Sequence, residues 1–141
     1  MAGQDLTAVA SGVVDAFNKN DWERSAAALA PNSLYNEVGT QRRLQGSDEI
    51  IAALKGWKQA MPDVKGTVTK ALASGNTAVL EVTWQGTQTG PLETPGGTIP
   101  ASGKSQTTPA AWIFEFEGDK IRESRQYFDM AAFLQQIGAM Q

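Results

Sequence analysis

The chain predicts an α+β domain in which helices come first and a curved antiparallel sheet follows, on two changes of hydrophobic period. Apart from a short run at Ser33 to Val38, apolar residues up to Pro62 recur at helical spacing, and those from Val64 to Asp129 alternate. From Met130 the helical spacing returns, through Phe133, Leu134 and Ile137. Such an order gives helices packed on one face of a sheet, with a pocket between the two layers.

Leu6, Val9, Ala10, Val13 and Phe17 form the stripe of the first helix, which Asn18-Lys19-Asn20 closes. Asp21 caps a short second helix bearing Trp22, Ala26 and Leu29, which ends before Pro31. After the Ser33 to Val38 strand, Gly46-Ser47 offers an N-cap, and Asp48 and Glu49 suit the positive end of a helix dipole. Ile50, Leu54, Trp57 and Met61 make that third helix's buried stripe, and Pro62 stops it.

A strand from Val64 turns at Ser74-Gly75-Asn76 into a second one, Thr77 to Thr89, with Ala78, Leu80, Val82 and Trp84 on one face. Residues 90 to 108 are too rich in Gly and Pro for a central strand, so we expect a long excursion of the kind that forms lids. Ala111 to Phe116 and Ile121 to Asp129 then form a hairpin about Glu117-Gly118-Asp119-Lys120. With a tight turn and unbroken alternation, Phe116 faces Ile121, Phe114 faces Glu123 and Trp112 faces Arg125.

With 141 residues the chain is expected to form a single domain over 1–141 and to hide roughly two-thirds of its unfolded surface. It has no cysteine and no histidine, so thiolate chemistry is excluded and proton transfer falls to carboxylates, Tyr or Lys. Its net charge of −3 without a basic run speaks against nucleic acid as a partner. No apolar run reaches membrane-spanning length, and Met1-Ala2-Gly3-Gln4 does not open a signal-peptide pattern, so a cytoplasmic protein without membrane partners is expected.

The expected hairpin register puts Glu123, Arg125, Tyr127 and Asp129 on the aromatic side of the sheet, beside Trp84, Trp112 and Phe114. Charges in such a place persist only when paired or used, which marks a pocket wall. Asp129 before Met130 also has the position of a helix N-cap. Arg125 can orient a carbonyl or anion, or pair with Glu123 or Asp129. The tryptophans can be core or substrate platforms. Thr83, Gln85, Ile113, Ser124 and Gln126 are left for a lightly charged outer face, suited to a homodimer contact.

Trp84-Gln85-Gly86-Thr87-Gln88-Thr89-Gly90, Ala60-Met61-Pro62-Asp63, Pro100 to Lys104, Phe116 to Glu123, and Asp129 with Leu134 to Gly138 resemble the SnoaL-like polyketide cyclases and ester cyclases. These belong to the nuclear transport factor 2-like superfamily, and the resemblance implies a cone-shaped sheet wrapped around the helices. It implies further that Asp129 is general acid/base in an aldol-type ring closure without metal or cofactor. Tyr35 and Asn36 then lie near the pocket, and the homodimer is expected on the same ground. Where the family often has histidine this chain has Gln88, which can hydrogen-bond but not exchange a proton near neutral pH.

Two function classes follow. One is a cofactor-independent enzyme acting on a small apolar carbonyl compound, with Asp129 and Arg125 as catalytic residues and Tyr35, Asn36, Trp84, Gln88, Trp112, Phe114, Glu123 and Tyr127 around the substrate. Within it, Glu123, Arg125 and Asp129 also resemble the array of limonene epoxide hydrolase-like enzymes. The other class is a ligand-binding or accessory domain that keeps the pocket and lacks proton chemistry.

Overall fold

The fold rests on a six-stranded sheet whose order brings the first strands against the last. A computed structural model describes residues 5–140, so the Met1 to Gln4 stretch lies outside the described residues. The elements are α1 (Leu6–Asn18), α2 (Trp22–Ala27), β1 (Leu29–Glu37), β2 (Arg42–Gln45), α3 (Ser47–Ala60), β3 (Lys65–Ser74), β4 (Thr77–Thr87), β5 (Leu92–Thr94), β6 (Gly97–Ile99), β7 (Ser105–Glu117), β8 (Lys120–Phe128) and α4 (Met130–Gln136). The main sheet runs β2-β1-β8-β7-β4-β3, antiparallel except for β1 beside β8, and β5 and β6 pair separately. The strand over 42–45, which the sequence did not announce, pairs with the end of β1 and makes the sheet's edge.

Short polar side chains set the helix starts. Asp5 accepts from the backbone N–H groups of Thr7 and Ala8, Asp21 from that of Arg24, and Asp129 from that of Ala132. At α3 the cap residue is Gly46, with φ +87°, a value a side chain would resist. Glu49 there accepts from the N–H of Gln45, the residue before the cap, at 2.9 Å. Asn18 ties the end of α1 to β3, its amide exchanging two hydrogen bonds with the backbone of Gly66.

The helices cover the sheet's inner face. Leu6, Ala10, Val13, Val14 and Phe17 of α1 and Ile50 and Leu54 of α3 meet Ala78, Leu80 and Val82 of β4 and Trp112, Phe114 and Phe116 of β7, all of them buried. Phe114 lies inside, as the alternation predicts. The excursion over 90–108 is shorter than expected: it holds the β5–β6 hairpin, and β7 begins at Ser105 rather than near Pro109. Pro109 is tolerated because β8 pairs only from Ala110 onward, leaving β7 an edge there that needs no N–H.

The β7–β8 hairpin departs from the expected register at one residue. Phe116 pairs with Ile121 as predicted, but Glu115 pairs with Glu123, so Arg122 is an unmatched bulge. From there every β8 side chain changes face: Phe114 meets Ser124 and Trp112 meets Gln126. Unbroken alternation would have driven Glu123, Arg125 and Tyr127 into the core and put Ser124, Gln126 and Phe128 outside. Burying those charges costs more than one bulge.

Candidate active site

Strands β1, β4, β7 and β8 and helices α1 and α3 surround a cavity that Phe133 of α4 also lines. Its lining is largely aromatic and aliphatic: Phe17, Leu54, Trp57, Met61, Val64, Trp84, Trp112, Phe128 and Phe133, with Tyr35, Glu37, Gln106, Thr108 and Gln126 as the polar members. The rings pack in a chain, Trp84 against Trp112 at 6.3 Å between centroids, Trp112 against Tyr35 at 5.7 Å and against Phe114 at 5.0 Å.

One continuous polar relay crosses this apolar space. Trp84 Nε1 donates to Gln126 Oε1 at 2.7 Å, Gln126 Nε2 donates to the Tyr35 oxygen at 2.8 Å, and the Tyr35 hydroxyl donates to Glu37 Oε2 at 3.2 Å. Tyr35 and Glu37 share a face because they stand two apart on β1, and each is only 1% exposed. Glu37 is held by further donors: Trp57 Nε1 at 3.0 Å on Oε2, and on Oε1 the Thr40 hydroxyl at 2.5 Å and Arg42 Nη2 at 2.7 Å. Desolvation and, after it, the neighbouring Glu37 charge push the Tyr35 phenol well above its ordinary range, so it stays protonated.

The expected site residues divide. Tyr35, Trp84 and Trp112 line the cavity, and Phe114 is buried beneath Trp112. Asn36, half-buried, alternates to the outer face between Arg43 and Arg125 in register. Gln88 is fully buried outside the lining; its Nε2 donates to the carbonyls of Ile99 and Pro100, and its own carbonyl accepts from Ser102 and Gly103. It thus clamps the connection after β6.

The array expected around Asp129 lies elsewhere. Glu123, Arg125 and Tyr127 are on the outer face because of the Arg122 bulge, and Tyr127 is 42% exposed. Arg125 bonds Glu115 at 2.8 Å and Glu123 at 3.2 Å. The guanidinium, with help from the Thr77 hydroxyl, holds the Glu115 carboxyl below its usual range, and Glu115 in turn raises Arg125. Asp129 is exposed, caps α4 at 3.0 Å and is not among the lining residues. Its geometry is that of the cap. Ser124 and Gln126, expected outside, are buried inside.

Sequence reasoning missed Glu37, Gln126, Gln106 and Thr108. Glu37 was within reach, since a strand that points Tyr35 inward points Glu37 inward too. Gln126 was hidden by the bulge. Gln106 and Thr108 fell in the stretch read as an excursion.

The family model for SnoaL-like polyketide cyclase matches residues 7–137. A comparison with curated proteins finds no significant match. Among solved structures, a SnoaL-like polyketide cyclase candidate from Jannaschia is 19% identical with a TM-score of 0.81, the alignment covering 99% of this chain and 100% of that one. IdmH, a polyketide cyclase candidate from Streptomyces antibioticus, is 19% identical with a TM-score of 0.80, over 96% and 99% of the two chains. A protein of ketosteroid isomerase-like fold from Catenulispora acidiphila, in complex with trimethylamine, is 18% identical with a TM-score of 0.78, over 92% of each chain. At these identities the likeness is one of fold. Among the described residues no helix is long and apolar enough to cross a membrane.

Proposed function

Since this chain belongs to the SnoaL-like polyketide cyclase family, we propose that its cavity takes up a small apolar carbonyl compound and closes a ring in it by aldol-type acid/base chemistry. The observation that carries this reading is the relay Trp84–Gln126–Tyr35–Glu37, a continuous hydrogen-bonded chain in a largely apolar cavity. An aldol closure needs a C–H proton removed and a proton returned to the developing alkoxide. Tyr35 can take the first as it passes its own to Glu37, and can return one along the same path. A free phenolate, costly at this depth, is then never formed. Arg42 and Trp57 hold the Glu37 carboxylate in place through both steps.

A second reading is favoured by one feature. Both Glu37 oxygens already accept two or more hydrogen bonds, which weakens the carboxylate as a base and suits a binding domain. Deuterium exchange of an aryl 1,3-diketone in D₂O separates the two. In the enzyme, exchange exceeds the protein-free rate, and Tyr35→Phe lowers it by roughly two to four orders of magnitude while Asp129→Asn leaves it unchanged. Saturable binding without exchange selects the binding domain. Loss of turnover in Asp129→Asn returns the proton chemistry to that carboxylate.

The proposal includes a homodimer through the outer sheet face, where half-buried Val79 and exposed Tyr127 join Ile113 in place of Ser124 and Gln126. Sedimentation that gives only monomer at micromolar concentration refutes it.

A further inference from the structure

Of the three tryptophans lining the cavity, Trp112 has an indole N–H that no hydrogen bond uses. Trp57 donates to Glu37 at 3.0 Å and Trp84 to Gln126 at 2.7 Å, whereas Nε1 of Trp112 is buried without a partner in a residue only 3% exposed. An indole N–H can only donate, and buried donors in folded proteins are nearly always met by protein, water or ligand.

Nothing in the immediate wall serves it. The N–H lies in the ring plane, and the rings of Tyr35 and Phe114 are inclined to that plane by only 33° and 30°. They therefore flank the indole rather than turn a face toward its edge. The Gln126 oxygen beside it in register accepts from Trp84 instead, and the Tyr35 oxygen from Gln126. What remains on that side is the cavity that Trp112 lines.

We infer that Trp112 is a ligand-binding residue, its Nε1–H donating to an uncharged oxygen acceptor, a ketone or lactone carbonyl, on the molecule the cavity holds. This deepens the reading of the cavity as a site for an apolar carbonyl compound and rests on it. An uncharged oxygen fits better than a carboxylate because Tyr35, packed on Trp112, is hydrogen-bonded to the buried Glu37 charge. The acceptor is thereby held beside Tyr35, and the apolar remainder lies along Trp84, Met61 and Phe133.

Two probes of one shape test this: 2-acetylnaphthalene, and 2-isopropenylnaphthalene, in which a methylene replaces the oxygen. The wild-type protein is expected to bind the ketone about five- to tenfold more tightly, the worth of one neutral hydrogen bond in a dry site. Trp112→Phe, which keeps an aromatic ring, levels the two affinities. In ¹H–¹⁵N spectra of the wild-type protein the Trp112 Nε1–H resonance moves downfield with the ketone and not with the hydrocarbon. That spectrum decides alone if the Phe variant does not fold. Equal affinities with a stationary indole resonance overturn the role of Trp112 and leave the small-molecule site standing. Binding of neither probe removes the site itself and this inference with it.

Discussion

The hydroxyl of Tyr35 donates to Glu37 Oε2 over 3.2 Å, between two side chains each 1% exposed, and the stability of the protein should register both partners. Tyr35→Phe leaves a Gln126 N–H and a Glu37 lone pair unmatched, at a cost of about 1–3 kcal/mol near neutral pH. The phenol also makes stability depend on alkaline pH. Its folded pKa is raised, so the unfolded chain releases the proton first. The contribution is complete below about pH 10, the unfolded value, and is lost as pH rises toward the folded value. Denaturant titrations from about pH 8 to 11 should show a steeper alkaline decline in the wild-type protein than in Tyr35→Phe. Parallel curves would contradict the buried, protonated phenol.

Arg42 is the counter-charge of Glu37, at 2.7 Å, with 21% of its side chain exposed against 1% for the carboxylate. Removing one partner of a buried pair strands the other, so Arg42→Ala should cost about 3 kcal/mol in urea unfolding. A cost under 0.5 kcal/mol would mean that the charge is not carried by that pair.

Gly66 on β3 faces Trp84 on β4 so closely that an added Cβ would stand 2.5 Å from the indole ring. Gly66→Ala must displace a ring whose N–H holds Gln126. Overpacking of this kind costs about 1–3 kcal/mol, and it should also weaken binding in the cavity. If the variant melts and binds like the wild-type protein, Trp84 does not need its present position.

Asp129 gives the plainest contrast. Asp129→Ala should cost about 1 kcal/mol by loss of the α4 cap, and Asp129→Asn only a few tenths. Neither should alter ligand affinity. An affinity loss in the Asn variant, with its melting temperature unchanged, would place the carboxylate at the ligand after all.

Most of the architecture is legible in the sequence because it depends on local period and punctuation. Asp21, Gly46 and Pro62 mark helix ends through their own backbone chemistry, and Ala78 to Trp84 show their buried face by alternation alone. The cavity's polar wall is less legible, since it depends on one unmatched residue, Arg122, and on a pairing between β1 and β8 that no local pattern announces. A bulge inverts the inside–outside reading of all that follows, so alternation alone puts Arg125 and Asp129 in the pocket and Gln126 on the surface. Glu37 is a different case: its neighbour Tyr35 already fixed its face.

Because Tyr35 and Gln126 meet across 91 residues of chain, the relay cannot form until β1 docks in parallel against β8. The β3, β4, β7 and β8 strands join by antiparallel neighbours and can condense earlier, whereas closing so long a loop carries a large entropic cost and belongs to a late step. Refolding should therefore pass through a collapsed sheet that cannot yet hold a ligand, with binding competence emerging more slowly than tryptophan burial. Stopped-flow traces in which the two rise together would show that the β1–β8 docking is part of the nucleus.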